Sequence, residues 1–588
     1  MMQPISYTRS EWRAGLNNMS NTEFDVVVIG SGGAGLTCAT VAQQQGLRCL
    51  VIEKAGMFGG TTAYSGGGVW IPCNPHMADI GQEDSRSDAE AYLSAVLGNH
   101  YDADLVGAFL DSGAEMVRYM EDNTHVRFFS IPLSDYQPDL PGAKLGRTML
   151  TQEYDGSPLG DWLRKVRLPF LGYVAFGSMQ TDPQHLGKFR NAFRTPEGFL
   201  FSARRFSAFV LDLLRFGRGA NMANGNALVG RLLRSALDAG VTLWESSPAI
   251  RLMSDDGGVT GVVVKRDGRE FEIRAERGVV LASGGFGANP AMVEQYMPMP
   301  GRHVSISPES NEGDGLAMAQ AVGGALPPPN PDNGIWAPVS HVHDATGKVI
   351  SKFPHFGPDR GKPGTIIVTP DGKRFGNEAS PYQDFVNVMH ERGIDTAWLI
   401  ADHRMLRNYG LGIALPAPLP YRKYVRSGYL IRGRTIAELA DKIGMDPSAL
   451  ETTVQEFNRH AARGADPVFH RGESIYDNAQ GDFGHQPNPN LAPVEHAPFY
   501  AVKIHPGNVS TLYGMNTTAD AQVLDARNNP IGGLYAIGLD QNAVTKGFYP
   551  GGGSSIGPGM TFAYRAAMRM ARENGSKRSS SILRNKHI

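Results

Sequence analysis

The chain has 588 residues, of which 41% are hydrophobic and 19% charged, with a mean hydropathy of −0.26. That composition excludes a disordered chain, and a formal net charge of −2 excludes nucleic-acid binding through an overall positive field. Three cysteines (Cys38, Cys49, Cys73) are too few for a disulfide framework and lack a paired CxxC spacing, which reads as a reducing, cytoplasmic setting without structural zinc.

Residues 1–22 lack the apolar run of a signal peptide and read as an N-terminal extension, and no uncharged stretch reaches the roughly 18 apolar residues of a spanning helix. Phe24–Ile29 is a short β-branched run, the pattern of a buried parallel strand. It ends in Gly30-Ser31-Gly32-Gly33-Ala34-Gly35; Leu36–Gln45 then has helical spacing, Gly46 closes it, and Leu47–Glu53 reads as a second strand. A GxGxxG between a strand and a helix, with an acid about 20 residues on, is a dinucleotide-binding pattern. Small residues let the backbone approach a pyrophosphate at the helix amino end, where free N–H groups stabilise negative charge, and Glu53 can accept from ribose hydroxyls.

A second glycine-rich stretch, Gly59-Gly60-Thr61-Thr62-Ala63-Tyr64-Ser65-Gly66-Gly67-Gly68, suits an extended ligand lying along the backbone. Segment 157–218 holds ten Lys/Arg against four Asp/Glu, with apolar clusters such as Leu168–Phe176. Its first reading is a structural or oligomer-contact insertion, and its second a membrane-facing or substrate-entry cap. Asn226–Ala239 reads as a helix, Val241–Glu245 as a strand, and Val259–Lys265 with Glu270–Arg274 as a hairpin around Asp267-Gly268. Gly278–Ala282 is another buried strand, stopped by Ser283-Gly284-Gly285. Leu534–Gly538 repeats that pattern, and Met560–Glu573 reads as a helix.

Strands of one sheet thus fall at both ends of the chain. The expected architecture is α/β: a discontinuous Rossmann-like nucleotide-binding domain (23–330 and 503–574) with an inserted α+β catalytic domain (331–502) and a flexible tail (575–588). Pro-rich stretches at 326–331 and 487–493 mark the insertion.

GSGGAG at 30–35, GGTTAYSGGG at 59–68, ASGGF at 282–286, GDGLAMAQAVGGA at 313–325 and GLYAIG at 533–538 resemble the flavoprotein superfamily of fumarate reductases and 3-ketosteroid dehydrogenases. The resemblance covers roughly 24–572 and implies FAD. It implies cofactor contacts at Gly30, Gly32, Gly33, Ala34 and Gly35, at Glu53 and Lys54, and at Gly60, Thr61, Thr62, Ser65, Gly66, Gly67 and Gly68. Further contacts follow at Ser283, Gly284, Asp314, Gly538, Ser555 and Ile556. The histidine that anchors flavin covalently in succinate dehydrogenases has no counterpart in Thr61-Thr62-Ala63-Tyr64, so the FAD is expected to be non-covalent. No second strand–GxGxxG–helix unit offers an NAD(P)H site, so electrons are expected to leave to a quinone or other acceptor.

Fumarate reductases resemble one another in an arginine before the last helix and a histidine in an HTMGG-like stretch. Here the matching stretches are Gly547–Gly553 (GFYPGGG) and Ser510-Thr511-Leu512-Tyr513-Gly514, without either residue. A dicarboxylate would lack its bidentate guanidinium partner. The run Tyr549-Pro550-Gly551-Gly552-Gly553-Ser554-Ser555-Ile556-Gly557-Pro558 instead resembles the YPGPGxxIGP loop of 3-ketosteroid Δ1-dehydrogenases, departing at Gly552. Tyr382, after Asn377-Glu378-Ala379-Ser380-Pro381, and Tyr136, before Gln137-Pro138-Asp139-Leu140-Pro141-Gly142, match two further tyrosine signatures of that family.

The chemistry explains these residue types. The Tyr549 hydroxyl and the Gly553 N–H can both donate to a ketone oxygen as enolate charge develops there. Tyr382 is then the base at the α carbon and Tyr136 its proton-sharing neighbour, while hydride leaves the β carbon for flavin N5. The expected activity is 1,2-desaturation of an apolar cyclic ketone, most plausibly a 3-ketosteroid. Three alternatives stand beside it: a desaturase of a smaller ring ketone such as a 4-oxocyclohexane derivative, a Δ4-type steroid dehydrogenase, and a flavin electron-transfer or redox-sensing subunit. Gly551, where Δ4-type relatives carry serine, disfavours the second of these. His303, His341, His343 and His390 lack metal-ligand spacing, so no metal is expected, and membrane contact is expected to be peripheral at most.

Overall fold

The strand Glu23–Ile29 sits inside an eight-stranded sheet, which is why Val26, Val27 and Val28 are fully buried. Burying each such side chain is worth about 1.5–3 kcal/mol. This computed structural model describes residues 22–192, 194–299, 301–344, 346–357 and 359–584. Residues 1–21 of the expected N-terminal extension and 585–588 of the expected tail lie outside the described residues.

On one side the first strand pairs in parallel with Cys49–Ile52 (Val26 opposite Cys49), which pairs in parallel with Thr242–Trp244. On the other side it pairs in parallel with Arg269–Leu281 (Val27 opposite Val279), and that strand with Pro530–Ala536. A strand from residue 530 therefore lies beside one from residue 279, and residues far apart in sequence complete one sheet. Helix Gly33–Gln44 packs between helices Asn224–Ala239 and Ile556–Arg584, and Leu36, Val41, Leu232, Phe562 and Met570 share one core.

The hairpin and the following strand, read separately from sequence, are corrected by the fold: Arg269–Leu281 is one strand of thirteen residues. Its amino half pairs antiparallel with Gly258–Arg266, and its carboxyl half enters the parallel sheet. Glu276 and Arg277 interrupt the apolar pattern where the strand passes from one pairing to the other. Gly278 (φ +147°) sits at that passage, where a Cβ would come 2.8 Å from the Gly533 carbonyl oxygen.

A second, six-stranded sheet is built from Gly334–His343, Val349–Pro354, Thr365–Val368, Ala397–Ala401, Ile431–Gly433 and Phe499–Thr511, all pairing antiparallel. The boundary read at 502/503 falls inside Phe499–Thr511, which keeps pairing with Gly334–His343 as far as Thr511. The final helix is also longer than Met560–Glu573 at both ends, running Ile556–Arg584. Pro558 lies in its first turn, where a missing N–H costs nothing, and the assigned backbone does not stop at Gly575. No helix among the described residues is long and apolar enough to cross a membrane.

Candidate active site

Residues that follow the carboxyl ends of the parallel strands (Gly30, Glu53, Ser247, Ala282 and Ile537) line one cavity. That edge is where open α/β sheets bind ligands, because helix amino ends and turn N–H groups gather there. Gly30 has φ +114°, and a Cβ would lie 2.1 Å from the Ala282 carbonyl oxygen, so the turn requires glycine. Gly32 differs: a Cβ there would meet only the Thr62 hydroxyl at 3.8 Å, so its missing side chain leaves space in the cavity rather than room for the protein. The helix Gly33–Gln44 starts here without a side-chain cap at Gly32. The Gly33 N–H donates to the Thr62 hydroxyl (3.0 Å), and the N–H groups that follow it in the first turn have no intrahelical acceptor and are offered to an anion.

The Glu53 carboxylate is buried. It accepts from the Ser31 hydroxyl (2.5 Å), the Ser31 N–H (3.2 Å) and the Ala55 N–H (2.9 Å), with lone pairs left for a ligand's hydroxyls. Asn311 donates to the Gly284 carbonyl (2.9 Å) and the Thr61 hydroxyl (3.0 Å), tying two glycine-rich segments together across the cavity. The Ser510 hydroxyl lines the same cavity, buried and without a hydrogen-bond partner. An elongated cradle of glycine turns, a helix amino end, a buried acid and an orphaned hydroxyl fits a dinucleotide flavin.

Every expected cofactor position except Gly67 lines the cavity. Gly67 instead lies against the start of helix Asn224–Ala239, where a Cβ would come 2.5 Å from the Gly225 nitrogen. Lys54 lines the cavity, but its ammonium is engaged by Asp314 (2.7 Å) and by Glu312.

The other half of the cavity is apolar, with Ile131, Leu133, Ile335, Phe356 and Val509 in its wall, and it holds Tyr136, Tyr382, Tyr549 and Gly553. Ring centroids are 5.6 Å apart for Tyr136 and Tyr382, 5.8 Å for Tyr136 and Tyr549, and 5.9 Å for Tyr382 and Tyr549. Three sequence segments separated by hundreds of residues meet here, and each is fastened. Tyr136 donates its N–H to the Pro550 carbonyl (2.9 Å), and the preceding Asp135 accepts from Trp70 Nε1 (2.8 Å) and Arg147 (2.7 Å). Tyr382 opens helix Tyr382–Glu391 directly after Pro381. Gly553 has φ +101°, and a Cβ would come 2.3 Å from the Gly68 carbonyl, so only glycine lets the two loops touch.

Burial pushes the phenols of Tyr136 and Tyr382 well above their ordinary value, and that of Tyr549 upward too. For Tyr549 the rise is opposed by the Tyr382 hydroxyl, the Ser555 hydroxyl and the Gly553 N–H, which act on its oxygen. Lys54 is the only Lys, Arg or His in the cavity wall among the described residues, and it stands at the glycine-rich end with Glu53 and Asp314.

Two residues of this neighbourhood carry no sequence signature. Tyr476 packs on Tyr136 from outside the cavity wall. Arg360 is fully buried and donates to the carbonyls of His355 (2.7 Å), Glu378 (2.8 Å), Ser380 (3.2 Å) and Phe356 (3.4 Å), holding the loop ahead of Tyr382. Ser510 was visible only as the departure from HTMGG.

Residues 25–556 match the FAD binding domain family model. A 3-oxosteroid 1-dehydrogenase of Mycobacterium tuberculosis is 36% identical, over 95% of this chain and 100% of the relative. The chain belongs to the 3-ketosteroid Δ1-dehydrogenase family of FAD flavoproteins. A 4-oxocyclohex-2-ene-1-carboxylate 5-dehydrogenase of Sinomonas cyclohexanicum is 40% identical over 94% of this chain and 95% of the relative. Among solved structures of this family, the 3-ketosteroid Δ1-dehydrogenase of Sterolibacterium denitrificans, in complex with 1,4-androstadiene-3,17-dione, aligns with a TM-score of 0.86 at 35% identity. That alignment covers 94% of this chain and 100% of the other.

Proposed function

We propose that the chain is an FAD-dependent dehydrogenase that introduces a double bond between the α and β carbons of a ring ketone, a 3-ketosteroid first among them. The observation that carries this reading is the meeting of three phenols and one glycine N–H in an apolar half-cavity, continuous with a cradle that fits a dinucleotide.

In this reading Tyr549 and the Gly553 N–H hold the ketone oxygen and stabilise the charge that develops on it. Tyr382 takes the α proton. Its phenol is neutral at pH 7, so Tyr136 at 5.6 Å (ring to ring) shares the proton and lowers the cost of the phenolate. The apolar wall excludes water and orients the ring. The turn at Gly30–Gly35, Glu53, and Gly60, Thr61, Thr62, Ser65, Gly66 and Gly68 would hold a dissociable FAD. FAD held there would supply the two-electron acceptor for hydride leaving the β carbon, with a quinone or other small acceptor as its expected oxidant.

A smaller ring ketone is the second reading, favoured by the 40% identical relative. Against a carboxylate-bearing ring stands the substrate half of the wall, whose described residues offer no cation to pair with it. The architecture in this reading is a discontinuous Rossmann-like FAD domain with an inserted unit carrying the antiparallel sheet. Three free cysteines support a reducing, cytoplasmic setting.

Anaerobic titration tests the function. 1,2-Saturated 3-ketosteroids are expected to bleach the flavin absorbance stoichiometrically and small cyclic ketones weakly, whereas an electron carrier would bleach only with a reductant protein.

A further inference from the structure

Arg167 stands directly behind the cavity wall and has no carboxylate to pair with among the described residues. Its backbone is fixed on both sides, the N–H donating to the Phe58 carbonyl (3.0 Å) and the carbonyl accepting from the Asn226 side chain (2.5 Å). Its guanidinium lies over the Tyr64 ring (5.4 Å to the centroid) and donates from Nη1 to the Tyr64 hydroxyl (3.3 Å), while its Nε is buried without a partner. Three other cations of the same segment are matched: Lys165 by Glu245, Arg205 by Glu153 (2.9 Å) and Lys188 by Glu197 (3.5 Å).

Arg218 deepens the imbalance. It is buried and donates to the Leu163 and Val166 carbonyls (3.1 and 2.6 Å) and to the side-chain oxygen of the same Asn226 (3.2 Å). Its Nε too has no partner. Burial pulls this guanidinium down to about 10, and no acid opposes the fall. Two guanidiniums thus share one asparagine and no carboxylate. A positive potential without its counter-ion, at the edge of a water-poor cavity, selects an anion.

The place of Arg167 along the cavity decides where that anion sits. Tyr64 and Phe170 both line the cavity, their rings 4.5 Å apart. Phe170 meets Tyr173 (6.4 Å) and Tyr173 stacks on Phe353 (5.8 Å). Phe356, just beyond, lines the cavity and packs on Tyr382 (4.9 Å). An aromatic series therefore joins the phenols at one end to Tyr64 at the other. Leu168 and Leu171, on either side of Phe170, are exposed, so the Tyr64 end lies near the surface. A ketone gripped at Tyr549 and Gly553, with its rings along this wall, directs its far end toward Tyr64. A carboxylate on the reacting ring itself would instead lie among the phenols, where no cation lines the wall.

We propose that Arg167, with the Tyr64 hydroxyl beside it, anchors a carboxylate at the end of the substrate remote from the ketone, so that the preferred class is a ring ketone with an acid-ended side chain. The guanidinium fork matches a carboxylate, and the Tyr64 hydroxyl accepts from Arg167 while its own hydrogen is left to donate. The inference rests on the ring-ketone reading and names its substrate class.

The FAD-loaded protein is given 3-oxo-4-ene steroids whose side chains end in a free carboxylate, at three chain lengths, each beside its methyl ester. Turnover with an artificial electron acceptor gives kcat/KM, and the flavin absorbance shift on adding the matching 1,4-diene products gives Kd without turnover. At the best chain length the acid is expected to exceed the ester by at least about tenfold in both, by a margin that shrinks with salt. Arg167→Gln should bring the acid-to-ester ratio close to one, Arg167→Lys should restore part of it, and Tyr64→Phe should lower it about threefold. Equal handling of acid and ester by the wild-type protein at every length overturns the inference, as does a preference that survives in Arg167→Gln. The wild-type and Arg167→Lys comparison decides should the glutamine variant lose its flavin. Turnover of the esters without any preference for the acids removes this inference alone, whereas failure of acids and esters alike to bleach the flavin would overturn the ring-ketone reading with it.

Discussion

Tyr476 meets Tyr136 edge-on, with ring centroids 5.0 Å apart at 71°, and so extends the three-phenol group of the cavity by a fourth phenol that never touches the cavity. Burial pushes the Tyr476 phenol up, while the Arg360 guanidinium and the hydrogen bond with Tyr136 pull it down. Arg360 is itself buried with backbone carbonyls as its hydrogen-bond acceptors. A fixed positive charge behind a row of phenols lowers the cost of placing a negative charge anywhere along that row.

This arrangement sets a pH dependence. Tyr382 is held well above the ordinary phenol value, so the neutral form dominates at pH 7 and the phenolate fraction grows tenfold per unit as pH rises. We expect kcat/KM to climb through the alkaline range. Beside burial, Tyr476 works to raise the phenols of both Tyr136 and Tyr382, so Tyr476→Phe should shift that limb to lower pH, with flavin content unchanged. A limb at the same pH in both proteins would remove Tyr476 from the proton chemistry and leave it a packing residue.

The ketone-facing groups separate by kinetics. Tyr549→Phe removes one donor to the developing oxyanion and is expected to lower kcat by about 10²–10³-fold, with the Gly553 N–H still in place. Tyr382→Phe removes the base and should lower kcat by about 10²–10⁴-fold. Both proteins should stay yellow, because neither residue belongs to the glycine-rich half of the cavity. Turnover with an artificial electron acceptor decides the matter, and wild-type rates in either variant would contradict the role given to it.

The contrast between these residues shows how much of the site was legible in the sequence. Tyr136, Tyr382 and Tyr549 each stand in a local pattern of prolines and glycines that shapes a loop, so their segments could be recognised one at a time, and the fold brings them together. Tyr476 and Arg360 sit in no such pattern. Tyr476 lies on a short helix, Ile475–Gln480, and Arg360 in a loop, and each matters through what packs against it across the fold. The same limit applied to secondary structure. The strand–turn–helix around Gly30–Gly35 is a local pattern and its order was legible, though the helix Gly33–Gln44 opens inside the glycine run rather than at Leu36. Arg269–Leu281, by contrast, is one strand only because two different neighbours pair with its two halves.

Two glycines of the same turn should respond oppositely to substitution. At Gly32 an added Cβ meets nothing of the protein nearer than 3.8 Å and enters the cavity, so Gly32→Val is expected to fold normally and to bind FAD at least tenfold more weakly. At Gly30 a Cβ runs into the Ala282 carbonyl at 2.1 Å with φ at +114°, so Gly30→Ala should lose the fold itself. The ratio of flavin to protein absorbance, read with far-ultraviolet circular dichroism, distinguishes the two. A fully flavinated Gly32→Val protein would show that the open space is not where the cofactor lies.

The loop ahead of Tyr382 supplies a stability test. Glu378 is fully buried and accepts from Arg374 through both oxygens (2.8 and 2.7 Å), from the Ile367 N–H (3.1 Å) and from Arg471 (3.3 Å). Burial works to raise its carboxyl, but the Arg374 guanidinium prevails and holds it below the ordinary 4.5. A carboxyl whose folded value is depressed contributes stability that is complete above its unfolded value and is lost as pH falls through the folded one. Glu378→Gln strips the charge and leaves Arg471 buried without its carboxylate, a change expected to cost about 3–5 kcal/mol at pH 7. Because the wild-type carboxylate must itself protonate in acid, the gap between the two urea midpoints should stay constant from pH 7 down to about 4.5 and close below it. A gap that persists unchanged in acid would mean that the glutamate acts through its shape and not through its charge.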